Sequence, residues 1–328
     1  MKVIRLAEEG GLTAEVLDYG AALRSIRVPT AEGPLEVLLA YPTEDQHCAD
    51  PYFIGSTLGR FANRIAGGRF ELDGRSIDVD RNENGHCLHG GTRGFHARTW
   101  EVVETATPNR VVLETLSSDG DQGFPGTLHG RVNYTLGNNT VDIVLEATTD
   151  QATVISLSNH AYFNLGTGID VLDHEVMINA DAFTPIDNDN IPTGELLPVQ
   201  GSCFDFREPA VLGQRLNDPD EQLGRADGFD HNYVLPPMNG GIRLAARARS
   251  PETGVTLSVY TTQPGLQFYS GQGLAEPFQP FQGLCFEGQA FPDAPNQPGF
   301  PAALLEPGQS YRQRIRYAFE AGPSGVIA

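Results

Sequence analysis

The chain of 328 residues is short of positive charge: 22 Lys plus Arg stand against 42 Asp plus Glu, a formal net charge of −20. Such a balance repels phosphate backbones and anionic headgroups, so neither nucleic acid nor a membrane surface is an expected partner. Long apolar runs are also missing. After Met1-Lys2-Val3-Ile4-Arg5-Leu6 the sequence turns polar at Glu8 and Glu9, too soon for a signal peptide or a membrane span. A soluble, cytoplasmic protein is therefore expected. Cysteine is sparse. Cys48, Cys87, Cys203 and Cys285 have neither C-x-x-C spacing nor the density of a disulfide framework, which points to four reduced thiols. Helical periodicity with caps is scarce as well, and its best stretch, residues 214–223, is interrupted by Asn217-Asp218-Pro219.

Glycine and proline are plentiful, 37 and 23 residues, and frequent turns suit many short strands better than a few long helices. The clearest hairpin places Arg69-Phe70-Glu71-Leu72 and Arg75-Ser76-Ile77-Asp78-Val79 around Asp73-Gly74, a dipeptide that accepts positive φ at both central positions. Residues 141–146, 255–260 and 314–319 alternate or run β-branched, as half-buried strands do. There is no linker, low-complexity tract or fixed-period repeat. A single all-β domain over residues 1–328, with few short helices, is expected; large sandwiches of this length occur as one unit.

Two acidic loops imitate calcium sites without completing them. Asp119-Gly120-Asp121-Gln122-Gly123 reaches Gly130 where a bidentate Glu is needed, and Asp187-Asn188-Asp189 reaches Pro192 at the required Gly. Both read as turns. His86-Cys87-Leu88-His89-Gly90-Gly91 gathers potential ligands but lacks a second cluster at metal spacing, so no metal is expected. His89 is either a functional group beside a sharp turn or a histidine satisfied by turn hydrogen bonds. His160, in Asn159-His160-Ala161-Tyr162-Phe163-Asn164-Leu165, sits among amides and rings suited to sugar hydroxyls and a sugar face, or is a paired core histidine. Glu287, in Phe286-Glu287-Gly288-Gln289, has apolar neighbours that imply burial and a raised pKa; the alternative is an ion pair with an arginine.

Taken in order, these motifs resemble the aldose 1-epimerases, or galactose mutarotases, along nearly the whole chain. The matching blocks include Gly59-Arg60-Phe61-Ala62-Asn63-Arg64-Ile65, Leu88-His89-Gly90-Gly91 with Gly94-Phe95, Ser158-Asn159-His160-Ala161-Tyr162, and Asp205-Phe206-Arg207. They continue with Gly228-Phe229-Asp230-His231-Asn232-Tyr233, Gly265-Leu266-Gln267-Phe268-Tyr269, Phe286-Glu287-Gly288-Gln289 and Phe291-Pro292-Asp293-Ala294-Pro295-Asn296. The resemblance implies a large antiparallel β-sandwich, the galactose mutarotase-like supersandwich, acting on a free monosaccharide without a cofactor, as a monomer or weak dimer. It implies Glu287 as general base, His160 as general acid and His89 as an assisting group. Asn63, Arg64, Tyr162, Asp230 and Gln267 fall where similar proteins bind sugar hydroxyls. The sequence departs from the family pattern at Gly288, Ala290, His96 and Gln272-Gly273, which bears on pocket shape and on the aldose preferred.

The implied reaction opens a hemiacetal: a base takes the O1 proton, an acid protonates the ring oxygen, the C1–C2 bond rotates and the ring recloses on the other face. This requires an ionised carboxylate and an imidazolium together, and the surrounding acidic residues are expected to keep His160 protonated. Three other readings use the same residues. A non-catalytic carbohydrate-binding protein of this fold would not need both Glu287 and His160. A glycosidase needs two carboxylates, with Asp230 the second candidate. An epimerase of a phosphorylated sugar needs several converging cations, and only Arg64 is placed there.

Overall fold

Period-two alternation builds the larger layer. In the computed structural model, which describes residues 1–104, 107–238 and 240–322, the strand Thr140–Thr149 buries Val141, Ile143 and Leu145 and turns the residues between them outward. Its antiparallel neighbours Leu128–Gly137 and Tyr311–Ala321 follow the same alternation, with Tyr134, Ile143 and Ile315 in one row. Val255–Thr261 pairs with the other edge of Tyr311–Ala321. The three strands expected over 141–146, 255–260 and 314–319 are thus consecutive in one sheet, which has nine strands among the described residues. On the outer face, Asp142 pairs with Arg314 and Arg316, so that surface is charged while the inner one is apolar.

A second antiparallel sheet lies against this inner face. Among the described residues it runs Tyr162–Phe163, Leu284–Gln289, Gly265–Tyr269, Asp230–Val234, Ala182–Phe183 and Leu197–Pro198 in spatial order. Phe163, Tyr233, Leu266, Phe268, Leu284 and Phe286 join Tyr134, Ile143, Leu257, Ile315 and Tyr317 in one buried cluster. Phe163 meets Tyr317 edge-on at 4.9 Å across the interface, and Phe268 stacks on Phe286 at 5.2 Å. The odd-numbered residues of 284–289 then have to face the opposite way, and this second face carries the site. A four-stranded sheet formed by residues 3–36 adds Leu6, Val16, Leu23 and Ile26 to the same core.

The hairpin forms as expected, Arg69–Leu72 pairing with Arg75–Asp78 around Asp73 at φ 50° and Gly74 at φ 71°. Helices are short. The stretch 214–223 resolves into Leu212–Leu216 and Glu221–Ala226, broken at Asn217-Asp218-Pro219, with Asp220 accepting from Gln222 N to cap the second. Both acidic loops are turns: Asp119 accepts from Gly126 N, and Asp187 accepts from the N–H groups of Asp189 and Ile191. All four cysteines are free thiols. No helix among the described residues is long and apolar enough to cross a membrane.

Candidate active site

The site is assembled by the sheet face left over from core packing. On 284–289, Phe286 points into the core, so Cys285, Glu287 and Gln289 point away from it. Gln267 lies opposite Glu287, and Tyr162 and Tyr269 flank Cys285. Asp230 pairs with Tyr269 one strand further on. His160 precedes this sheet in a segment fixed at both backbone groups: its N–H donates to Ser56 O at 2.9 Å, and its carbonyl accepts from Gly55 N at 2.9 Å.

The opposite wall comes from two short strands, Arg64–Ile65 and Cys87–Leu88, paired antiparallel. Asn63 and His89, just outside this pairing, bind each other twice. His89 N donates to Asn63 O at 3.1 Å, and Asn63 N donates to His89 Nδ1 at 3.0 Å. With Nδ1 occupied as an acceptor, the proton of this neutral ring sits on Nε2, so His89 offers the pocket an N–H donor. Both residues are left-handed, Asn63 at φ 66° and His89 at φ 51°. His89 is thus satisfied by a turn hydrogen bond at Nδ1 and turns its other nitrogen outward.

Glu287 and His160 are 2% and 5% exposed, and Glu287 Oε1 stands 3.7 Å from His160 Nε2. That is too long for a hydrogen bond. Glu287 Oε2 is buried without a partner, and no arginine pairs with Glu287 among the described residues. Burial raises the Glu287 pKa well above its usual value; Asp230 adds to this and Arg64 opposes it. Burial lowers the His160 pKa to about 4, with His96 contributing. The expectation that neighbouring acids keep His160 protonated is thus corrected. Removal from water outweighs the nearby charges, and both partners favour their neutral forms.

Polar groups on the Arg64 side of the site form a clamp. Arg64 donates to Glu83 through Nε at 2.6 Å and Nη2 at 2.8 Å, and Nη1 lies 3.6 Å from Asp230. Gln267 Nε2 donates to Asp230 Oδ1 at 2.7 Å. Burial disfavours the Arg64 charge, but Asp230 and Glu83 outweigh it and its pKa is raised.

These groups enclose a cavity of about 150 Å³, well below the roughly 300 Å³ at which drug-sized sites begin. Asn63, Arg64, His89, His160, Tyr162, Asp230 and Glu287 all line it. Gln267 is the exception among the residues expected there: it stands behind Asp230 as a support. Sequence reasoning missed the apolar wall, Pro51, Tyr52, Phe53, Leu88 and Tyr269. Phe53 stacks on His160 at 6.0 Å, and Tyr162 stacks on it at 5.0 Å. Only Tyr269 and Leu88 belonged to a motif; no pattern marked 51–53. Glu83 was missed because its role depends on where Arg64 points. His86 faces elsewhere, accepting from Gly67 N. A larger groove of about 720 Å³ beside residues 211–228 contains no histidine to pair with its acids.

His89, His160 and Glu287 bring three ligand atoms within 4.8 Å of one another. A neutral histidine that binds a metal through Nε2 must carry its proton on Nδ1, and His89 Nδ1 already accepts the Asn63 N–H. With its hydrogen on Nε2, this histidine is arranged to donate a hydrogen bond and not to ligate.

A family model described as aldose 1-epimerase matches residues 2–318. The chain is 37% identical to the aldose 1-epimerase of Escherichia coli (strain K12), covering 98% of this chain and 95% of that protein. It is 38% identical to the galactose mutarotase of Rattus norvegicus, over 94% of this chain and 91% of that one. Among solved structures, an aldose epimerase homologue from C. elegans superposes with a TM-score of 0.90 at 31% identity, over 98% of this chain and 99% of that one. The galactose 1-epimerase of Lactobacillus acidophilus gives 0.85 at 28%, over 97% and 94%.

Proposed function

The chain belongs to the aldose 1-epimerase family and carries its mutarotase activity on a monosaccharide, and from that premise we propose that Glu287 and His160 perform the proton transfers. The observation that carries this assignment is their isolation as a pair, 3.7 Å apart and buried, with no arginine or backbone donor hydrogen-bonded to Glu287 among the described residues. A neutral Glu–His pair holds as many protons as the corresponding ion pair. A bound sugar that donates O1–H to the carboxylate and accepts at O5 from the imidazolium selects the ionised arrangement without drawing a proton from solvent.

Glu287 then takes the O1 proton as His160 gives one to O5. The C1–O5 bond breaks, C1–C2 rotates, and the reverse transfers close the other anomer. His89 Nε2–H donates to an oxygen near the anomeric centre and stabilises charge that develops there. Asn63, Arg64 and Asp230 hold hydroxyls, Gln267 holds Asp230, and Tyr162 and Phe53 keep the His160 ring in plane.

The pocket favours a neutral sugar. Arg64, the one permanent cation among its lining residues, has its charge balanced by Glu83 and Asp230, so a phosphate would meet no unneutralised cation while Nη1 can still reach a hydroxyl. The second carboxylate, Asp230, is likewise engaged by Arg64 and Gln267, unlike the free pair of a glycosidase. Polarimetry on freshly dissolved α-glucose and α-galactose tests the assignment. Glu287→Gln is expected to lower kcat by at least about 10²-fold with an unchanged circular dichroism spectrum. Turnover within a few-fold of wild type would remove Glu287 from the reaction.

A further inference from the structure

We propose that Cys285 is a positioning residue for His160: its thiol accepts the Nδ1 proton of the ring, so that Nε2 alone exchanges protons with the sugar. This rests on the reading of His160 as the acid. The strand that presents Glu287 presents Cys285 two residues earlier on the same face, and Sγ lies 3.5 Å from His160 Nδ1. One strand therefore touches both nitrogens of one ring, Glu287 at Nε2 and Cys285 at Nδ1.

The direction of the hydrogen bond follows from what faces each nitrogen. Among the described residues, Cys285 is the side chain that hydrogen-bonds Nδ1, and the backbone carbonyl of His160 itself also favours a proton on the ring. At Nε2 stands Glu287, with Oε1 3.7 Å away and outside hydrogen-bond range, so Nε2 has no acceptor for a ring proton among the described residues. Nε2 is therefore the bare nitrogen and Nδ1 the protonated one in the neutral ring. Other groups around the ring are His89 and Tyr162, with His96 across Phe53 and Arg64 and Asp230 beyond Glu287. None of these competes for Nδ1.

A thiol is a suitable acceptor for an acid catalyst. A carboxylate at this position would stabilise the imidazolium and make it a poor proton donor; neutral sulfur accepts weakly, holds the tautomer and leaves the ring acidic. Cys285 stays neutral because burial, and then Glu287 and Asp230, raise its pKa well above the usual value. It is 0% exposed, so its part is played through His160 and not by contact with the sugar.

Long-range ¹⁵N NMR of histidine-labelled wild-type protein reads the tautomer directly. The neutral His160 ring is expected to carry its proton on Nδ1; an Nε2–H tautomer would overturn the proposal. Cys285→Ser, a stronger acceptor, is expected to move the acid limb of kcat/KM upward by about half a pH unit. Cys285→Ala is expected to lower kcat about fivefold with KM within about twofold, the effect of losing one neutral hydrogen bond. A purely structural cysteine would lower Tm in both variants and leave the acid limb in place, and that result would also refute the proposal. The acid assignment is checked separately: an active His160→Asn variant would sink it, while the wild-type spectrum would still report the Cys285 contact.

Discussion

At the scale of single residues, the reaction depends on how many protons the Glu287–His160 pair holds. One shared proton is the working state. On the acid side, His160 titrates near pH 4, and below that value the pair holds two protons and has lost its base. On the alkaline side, the raised pKa of Glu287 marks the loss of the last proton, and with it the acid. Thus kcat/KM is expected to fall below about pH 4, and to fall again on the alkaline side as Glu287 loses its proton above the ordinary carboxylate range. A profile measured by polarimetry with a single limb near the ordinary carboxylate pKa would contradict this coupling.

At the scale of elements, the turn after Cys87–Leu88 sets His89. Three successive residues, His89, Gly90 and Gly91, take φ of 51°, 86° and 93°. A Cβ on Gly90 would lie 2.1 Å from the Gly59 carbonyl oxygen, backbone that cannot swing aside. Gly90→Ala is expected to cost upwards of about 2 kcal/mol and to lower kcat by pulling His89 from Asn63, checked by thermal melting and polarimetry together. Wild-type stability would show that the turn relaxes freely. Much of this scale was legible in the sequence. The β-branched runs gave the central strands because alternation is a local property, and Asp73-Gly74 gave its hairpin for the same reason. The site was legible only through resemblance: Asn63, His89, His160, Asp230 and Glu287 are far apart in the chain, and local pattern left His160 and Glu287 open to core or ion-pair readings. Phe53 and Glu83 escaped because their roles arise from tertiary neighbours. The raised pKa of Glu287 was legible in its apolar neighbours; the charge state of His160 was misjudged because the degree of burial cannot be counted from acidic residues nearby in sequence.

At the scale of the molecule, the buried histidines tie stability to pH. His47 and His160 are held at about 4 and His231 at about 3, each chiefly by burial, against about 6.5 in an unfolded chain. Their folded values are depressed, so the stability they contribute is present above about pH 6.5 and is lost as pH falls towards those folded values. Asp50, raised to about 6 by burial, and Glu287 act in the opposite sense, losing stability as pH rises through their folded values, but they are fewer. Tm is therefore expected to be lower at pH 5 than at pH 7; an equal or higher value at pH 5 would refute the balance. We further propose that residues 1–328 form one domain, since the two large sheets share one apolar cluster. A single calorimetric transition is the expected result, and two separated transitions would overturn it.

The 284–289 strand has a consequence for how this activity tolerates change. A pleated strand has two settings and nothing between them. Deleting one residue in the loop ahead of it would not shift the carboxylate slightly but would rotate Glu287 to the hydrophobic side and bring an aromatic ring or bare backbone into the sugar pocket. Substitution at fixed spacing is therefore the change this stretch is expected to tolerate, and length variants are expected only in connections far enough away to leave the parity of the strand intact.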